Sequence, residues 1–93
     1  MNGTEAAILH PTTAILTGVI DTIGDLFPQW DLEVCHAEDG KGSLSATHRR
    51  SGYAYGLHTD DGASWAVVDP DGKVTGPNSP MPALALLRAL AAF

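Results

Sequence analysis

The sequence predicts an α+β fold in which an N-terminal helix, a four- to five-stranded antiparallel β-meander and a C-terminal helix follow one another. Apolar residues recur at helical spacing near both ends of the chain. The middle instead alternates apolar and polar residues in short segments separated by glycine. Since no repeat or linker divides the 93 residues, they form one predicted domain, with residues 1–11 irregular or flexible. Both helices are expected on one face of the sheet.

The first predicted helix follows the segment HPTT and ends before Pro28, which disfavours helical geometry in the residue preceding it. Asp21 and Asp25 lie four residues apart on its polar face, and Thr12 or Thr13 is the expected N-cap. The helix is therefore amphipathic. Its apolar positions are Ile15, Leu16, Val19, Ile20, Ile23, Leu26 and Phe27.

The predicted strands contain the segments DLEVCH, SLSATH, YAYGLH and WAVV, and KVTG adds a short fifth. Asp-Gly pairs lie at positions 39–40, 61–62 and 71–72. The last pair, in DPDG, begins like a calcium loop but lacks the later oxygen ligands and the bidentate glutamate of one. Because Asp-Gly is favoured in tight turns, all three pairs are predicted to turn the chain.

The hairpin loops must keep the large apolar residues on one face, since a one-residue slip would move all of them to the other. The predicted loops are residues 40–42, 51–52 and 60–62. The resulting cross-strand pairs are Val34 with His48, Ala46 with Leu57, and Leu57 with Trp65. All three loops then give one continuous apolar face. The opposite face carries small side chains.

The segment SPMPALALLRALAAF predicts a second helix from about Met81 to Phe93. Ser79 is its expected N-cap, and proline is suited to its first turn. Its central apolar stripe is formed by Leu84, Leu87 and Ala91, and Leu86 and Leu90 flank that stripe.

Composition limits the class of protein. Eleven acidic against five basic residues give a net charge of −6, which argues against direct binding of nucleic acid. The longest apolar stretch has 13 residues with Arg88 inside it, short of the ~20 that cross a bilayer, and no secretory signal is evident. With Cys35 as the only cysteine, no internal disulfide is expected. A cytoplasmic protein that contacts no membrane is predicted.

No catalytic residues, metal ligands or cofactors are predicted, so the protein is not expected to be an enzyme. Cys35 has no predicted histidine or cation beside it to lower its pKa. In the predicted register His36 and His48 share the core face, and only Glu38 lies near them as a carboxylate. Histidines packed in the core are therefore favoured over metal ligands.

The predicted partner-binding residues are acidic, with one tryptophan. Successive loops of a meander fall at alternate ends of the sheet, so two acidic loops share one end, opposed only by Lys41. Strand spacing places their tips roughly 10 Å apart. Trp30, beside the end of the first helix, is expected to be more accessible than Trp65 and could anchor a partner. The predicted set is Glu38, Asp39, Asp60, Asp61 and Trp30.

Two family resemblances bear on function. The element order resembles the double-stranded-RNA-binding domain in outline, but the second helix of that family opens with basic residues, and here only Arg88 is basic. A compact acidic domain without chemistry of its own resembles, in general character, phage-encoded antagonists of nucleic-acid-binding defence machinery, the anti-CRISPR type. That resemblance implies an inhibitor that occupies a basic surface of a larger partner.

Two alternatives remain open. The acidic loops could serve only to keep the domain soluble, since turns are normally polar. The chain could also be a homodimeric accessory protein that assembles through the small-residue sheet face or an edge strand. A concentration-independent mass near 9.7 kDa would count against the homodimer and for a monomer.

Overall fold

The computed structural model describes residues 11–93 and contains a helix, four strands and a second helix in that order. The elements are α1 (Pro11–Leu26), β1 (Trp30–Glu38), β2 (Lys41–His48), β3 (Ala54–Thr59), β4 (Ala66–Val68) and α2 (Pro82–Ala91). The strands form one antiparallel sheet in the order β1-β2-β3-β4. The predicted α+β class is thereby confirmed. Val74 makes only a single bridge with Val68, so the predicted fifth strand is absent from the described part of the chain.

The apolar stripe of α1 lies where the spacing predicts. Leu16, Val19 and Ile23 are all buried. Both threonines lie inside the helix, so neither is its N-cap. The hydroxyl of Thr12 instead accepts a hydrogen bond from the backbone N–H of Gly40, at 3.1 Å. The prediction for residues 1–11 falls on undescribed residues except at Pro11, which already belongs to α1.

All three hairpins differ in register from the prediction. Leu44 lies opposite Val34 on β1 and opposite Leu57 on β3, and Leu57 lies opposite Val67 on β4. The partners are displaced by four, two and two residues from those predicted. Because every displacement is even, the side chains of β2, β3 and β4 keep their predicted faces. The predicted bounds of the loops were wrong. Glu38, for example, pairs directly with Lys41, so residues 39–40 form the first loop.

A register shift between Val34 and His36 leaves Cys35 as an extra residue in β1. An extra residue reverses the alternation of side chains beyond it. Ala37 consequently packs against the core, and the side chain of His36 is 50% exposed. The prediction that His36 shares the core face with His48 is wrong for this reason.

One hydrophobic core joins the sheet to both helices, which also contact each other. The sheet contributes alternate residues of its central strands. In α2 the buried residues are Leu86 and Leu90, whereas Ala91 is exposed, so the predicted apolar stripe was out of phase. The buried apolar cluster comprises Leu16, Val19, Ile23, Trp30, Leu44, Ala46, Leu57, Trp65, Val67, Leu86 and Leu90.

The start of α2 also differs from the prediction. Met81 occupies the N-cap position and provides no side-chain cap. The hydroxyl of Ser79 accepts the N–H of Met81 in a tight turn before the helix, at 3.0 Å. Between residues 11 and 93, no helix is long and apolar enough to span a membrane.

Candidate functional site

The β1–β2 and β3–β4 loops touch each other at one end of the sheet, which we term the acidic end (residues 38–41 and 60–62). A Cβ atom placed on Gly62 would lie 3.2 Å from the Cα of Gly40, and one on Gly40 would lie 3.9 Å from the carbonyl oxygen of Asp61. The loops are thus in direct backbone contact rather than separated by the predicted distance. Glycine at both positions makes this approach possible.

The Asp-Gly pairs are turns, as the sequence predicts. Gly40, Gly62 and Gly72 have φ angles of 79°, 78° and 86°, in the left-handed region that favours glycine. The hydroxyl of buried Thr12 accepts the Gly40 N–H, and the Gly62 Cβ position lies 3.7 Å from that hydroxyl oxygen. One threonine of α1 therefore bonds to one loop and lies close to the other.

The first turn of α1 adds a favourable electrostatic environment. Thr12 lies in that turn and bonds directly to the β1–β2 loop. The N-terminus of a helix carries a partial positive charge, which favours nearby carboxylates. The N-terminal turn of α1 therefore adjoins the loop that carries Asp39.

Asp61 organises its own loop. Its Oδ1 atom accepts N–H bonds from Ala63 and Ser64, both at 2.9 Å, and a hydroxyl bond from Thr59 at 3.2 Å. These bonds, the one from Ala63 foremost, hold the pKa of the Asp61 carboxyl below its ordinary value. The same Thr59 hydroxyl lies 2.7 Å from the Ser64 carbonyl oxygen, so its single hydrogen is shared between these two acceptors. Asp61 therefore has a structural role that the sequence-based prediction did not include.

The other three acidic residues project from the two loops. Asp39 and Asp60 are exposed, and no side-chain hydrogen bond or ion pair joins either to another described residue. The Glu38 Oε2 atom lies 3.2 Å from the Nε2 atom of His36. At the acidic end, four carboxylates thus face a single basic residue, Lys41.

Trp30 belongs to the core and not to an accessible surface. It is only 4% exposed, and its ring packs edge-on against those of His48 and Phe93, with centroids 4.9 and 5.0 Å apart. Trp30 is slightly more exposed than Trp65, which is 1% exposed, but both are buried, so the expectation that Trp30 is accessible to a partner is wrong. Phe93 packs over Trp30 from the far end of the described chain. Local sequence patterns do not indicate such a long-range contact.

The opposite end of the sheet holds a more balanced set of charges. The guanidinium of Arg49 donates to Asp31 Oδ1 at 2.7 Å. This hydrogen bond lowers the pKa of Asp31 and raises that of Arg49. Both groups are solvent-exposed, so the pair contributes little to stability.

Cys35 and the histidines show no assembled chemical site among residues 11–93. The exposed Cys35 thiol donates a long hydrogen bond to the carbonyl oxygen of Glu33, at 3.9 Å. No group of three or more histidine, cysteine or acidic residues is arranged to hold a metal ion in this part of the chain.

Comparison with protein-family models, with curated proteins and with solved structures gave no match for this chain. The function therefore has to be argued from the geometry.

Neutralising Asp61 is expected to remove part of the acid sensitivity of folding. A carboxyl whose folded pKa is depressed contributes stability that is complete above its unfolded pKa and is lost as the pH falls through the folded one. Asp61→Asn keeps an oxygen that can accept the loop N–H bonds but does not titrate. Urea unfolding from neutral to strongly acidic pH should show a shallower decline for Asp61→Asn than for the wild type. Parallel declines would contradict this role.

Proposed function

We propose that the protein is a small acidic, non-enzymatic binding protein that inhibits a larger partner by occupying its basic, nucleic-acid-binding surface. In this respect it would resemble phage-encoded antagonists of nucleic-acid-binding defence machinery. The observation that carries the proposal is the backbone contact between the two acidic loops. That contact brings the loops that carry Glu38, Asp39, Asp60 and Asp61 together at one end of the sheet.

Rigidity supports this use of the loops. Thr12 bonds to one loop, and Asp61 and Thr59 bond within the other. Loops that are already ordered lose less conformational entropy on binding, so more of the electrostatic attraction remains as affinity. A flexible acidic tail would have to be ordered by its partner.

Charge complementarity supplies the mechanism. A nucleic-acid-binding surface is lined with lysine and arginine, which attract phosphates. The acidic end has four carboxylates and one lysine, and it therefore presents a negative field as phosphates do. The net charge of −6 reinforces this field. Such fields accelerate association more than they slow dissociation. The attraction acts over a Debye length of about 8 Å at physiological ionic strength, so binding should weaken as salt is added.

Replacing the four acidic residues by their amides is expected to abolish this attraction without unfolding the domain. All four side chains are exposed, and asparagine at position 61 preserves an acceptor for the loop N–H bonds. The wild type and the variant are immobilised and exposed to lysate of the native host at low salt. The wild type should retain a partner that added double-stranded DNA or salt displaces. The variant carries Glu38→Gln, Asp39→Asn, Asp60→Asn and Asp61→Asn.

A matched control loses the same number of negative charges elsewhere. It carries Asp21→Asn, Asp25→Asn, Asp69→Asn and Asp71→Asn. With the captured partner purified, association at low salt should fall roughly tenfold or more for the acidic-end variant and much less for the control. Equal rates and equal salt dependence for the acidic-end variant and the wild type would show that the acidic end only solubilises the domain.

A homodimeric accessory protein is the second candidate function. The observation that favours it is the position of the nine-residue strand β1 at an edge of the sheet. Two features oppose pairing of that edge with a second copy. The register shift at Cys35 interrupts the strand, and Glu33 and Glu38 place charge along it. The acidic end is therefore the stronger candidate.

A further inference from the structure

A groove of about 510 Å³ lies between α2 and the segment at residues 75–80. Its volume falls within the range of about 300–1,000 Å³ that is typical of small-molecule sites. It is separate from the acidic end, and no residue of the predicted partner-binding set lines it. Tyr55, Asn78, Ser79, Ala85, Arg88 and Ala89 are among the residues that line it.

The walls of the groove are held in place. The segment at residues 75–80 is anchored near its start by the Thr75 N–H, which donates to the Val67 carbonyl at 2.8 Å. Near its end, Trp65 and Ser79 exchange two backbone hydrogen bonds of 2.7 and 2.8 Å. Tyr55 packs edge-on against Trp30, with centroids 5.8 Å apart. The groove is therefore bounded by structured elements.

The inner surface is mainly apolar and carries a single charge. Ala85 and Ala89 lie one turn apart on α2 and fill little space. Of the lining residues between 11 and 93, only Arg88 is charged and none is acidic. Arg88 takes part in neither ion pair found among residues 11–93. In a chain with eleven acidic residues and five basic ones, such a lining is complementary to an anion.

We propose that this groove binds a small-molecule monocarboxylate with an apolar body. The planar guanidinium of Arg88 suits a carboxylate because it can donate two parallel hydrogen bonds. The alanine methyl groups and the Tyr55 ring contact the apolar body of the ligand. Asn78 supplies a further polar residue at the wall.

Two isosteric probes test the proposal by ¹⁵N NMR titration. The probes are 4-phenylbutyrate and its neutral amide, 4-phenylbutyramide. The carboxylate is expected to shift the backbone resonances of Gly76, Asn78 and Ala89 and to bind about three to ten times more tightly than the amide at low salt. Arg88→Gln should abolish that preference. Because Arg88 is exposed, this variant is expected to remain folded.

Lys41→Gln is the matched control, since it also removes one positive charge but from the acidic end. It should keep the full preference for the carboxylate. Equal binding of both probes would show an unselective apolar groove and overturn the proposal. Shifts confined to other residues, or none up to the solubility limits of the probes, would overturn it too. Because the acidic end is unchanged in Arg88→Gln, either result leaves the proposed inhibitory function unaffected.

Discussion

Replacing Leu57 by aspartate is expected to unfold the domain. Leu57 has no exposed surface and lies in β3 between Leu44 and Val67. Among residues 11–93 the buried polar side chains are Thr12 and Thr59 and none is cationic, so the new carboxylate would be buried without a charged partner. Such substitutions cost more than about 4–5 kcal/mol, comparable to the total stability of a small domain at about 5–15 kcal/mol. Circular dichroism should show no cooperative melting transition for Leu57→Asp.

His58→Asp is the matched control for this experiment. His58 is adjacent to Leu57 on the same strand, but its side chain points to the opposite face and is partly exposed. A carboxylate there stays hydrated, so we expect a melting temperature close to that of the wild type. If Leu57→Asp melted like the wild type, or if both variants unfolded alike, the assignment of faces in β3 would be wrong.

The role of Leu57 follows from sequence because alternation in a strand is a local property. On β2, β3 and β4 the register is displaced by an even number of residues, which leaves their side chains on the predicted faces. The left-handed glycines at 40, 62 and 72 follow from local turn chemistry in the same way. Exact loop lengths depend on pairing across strands, and several loop lengths were compatible with the same alternation.

Other features of the fold depend on contacts that local patterns do not specify. The extra residue at Cys35 moved His36 off the core face without any signal in the alternation around it. The helix α2 is apolar around most of its surface, so spacing alone does not choose Leu86 and Leu90 over Leu84 and Leu87 as the buried pair. Only packing against the sheet and α1 sets that phase.

The candidate site likewise has one part that the sequence predicts and another that depends on long-range contacts. The acidic residues of the two loops could be named from sequence because meander topology places alternate loops at one end. The direct contact of Gly40 with Gly62 could not be predicted from sequence. The same holds for the hydrogen bond from Gly40 to Thr12, which lies 28 residues away in sequence. Strand spacing gives only the separation of the strand ends. Past those ends the two loops approach each other more closely than the strands do.

Replacing Trp30 by alanine is expected to cost about 3–5 kcal/mol of unfolding free energy, typical of removing a large buried aromatic side chain. The indole packs against His48, Tyr55 and Phe93, so its loss would leave a cavity beneath the chain terminus. Urea unfolding followed by circular dichroism measures this cost.

Tyr53→Ala is the control, because Tyr53 also contacts the Phe93 ring, at 5.8 Å between centroids, yet is 56% exposed. Removing an exposed ring loses less buried apolar area, so we expect a cost of about 1 kcal/mol or less. A large cost for Trp30→Ala with a small one for Tyr53→Ala would place Trp30 in the core in solution. Equal, small costs would mean that Trp30 is accessible, and it would then rejoin the acidic end as a candidate anchor for the partner.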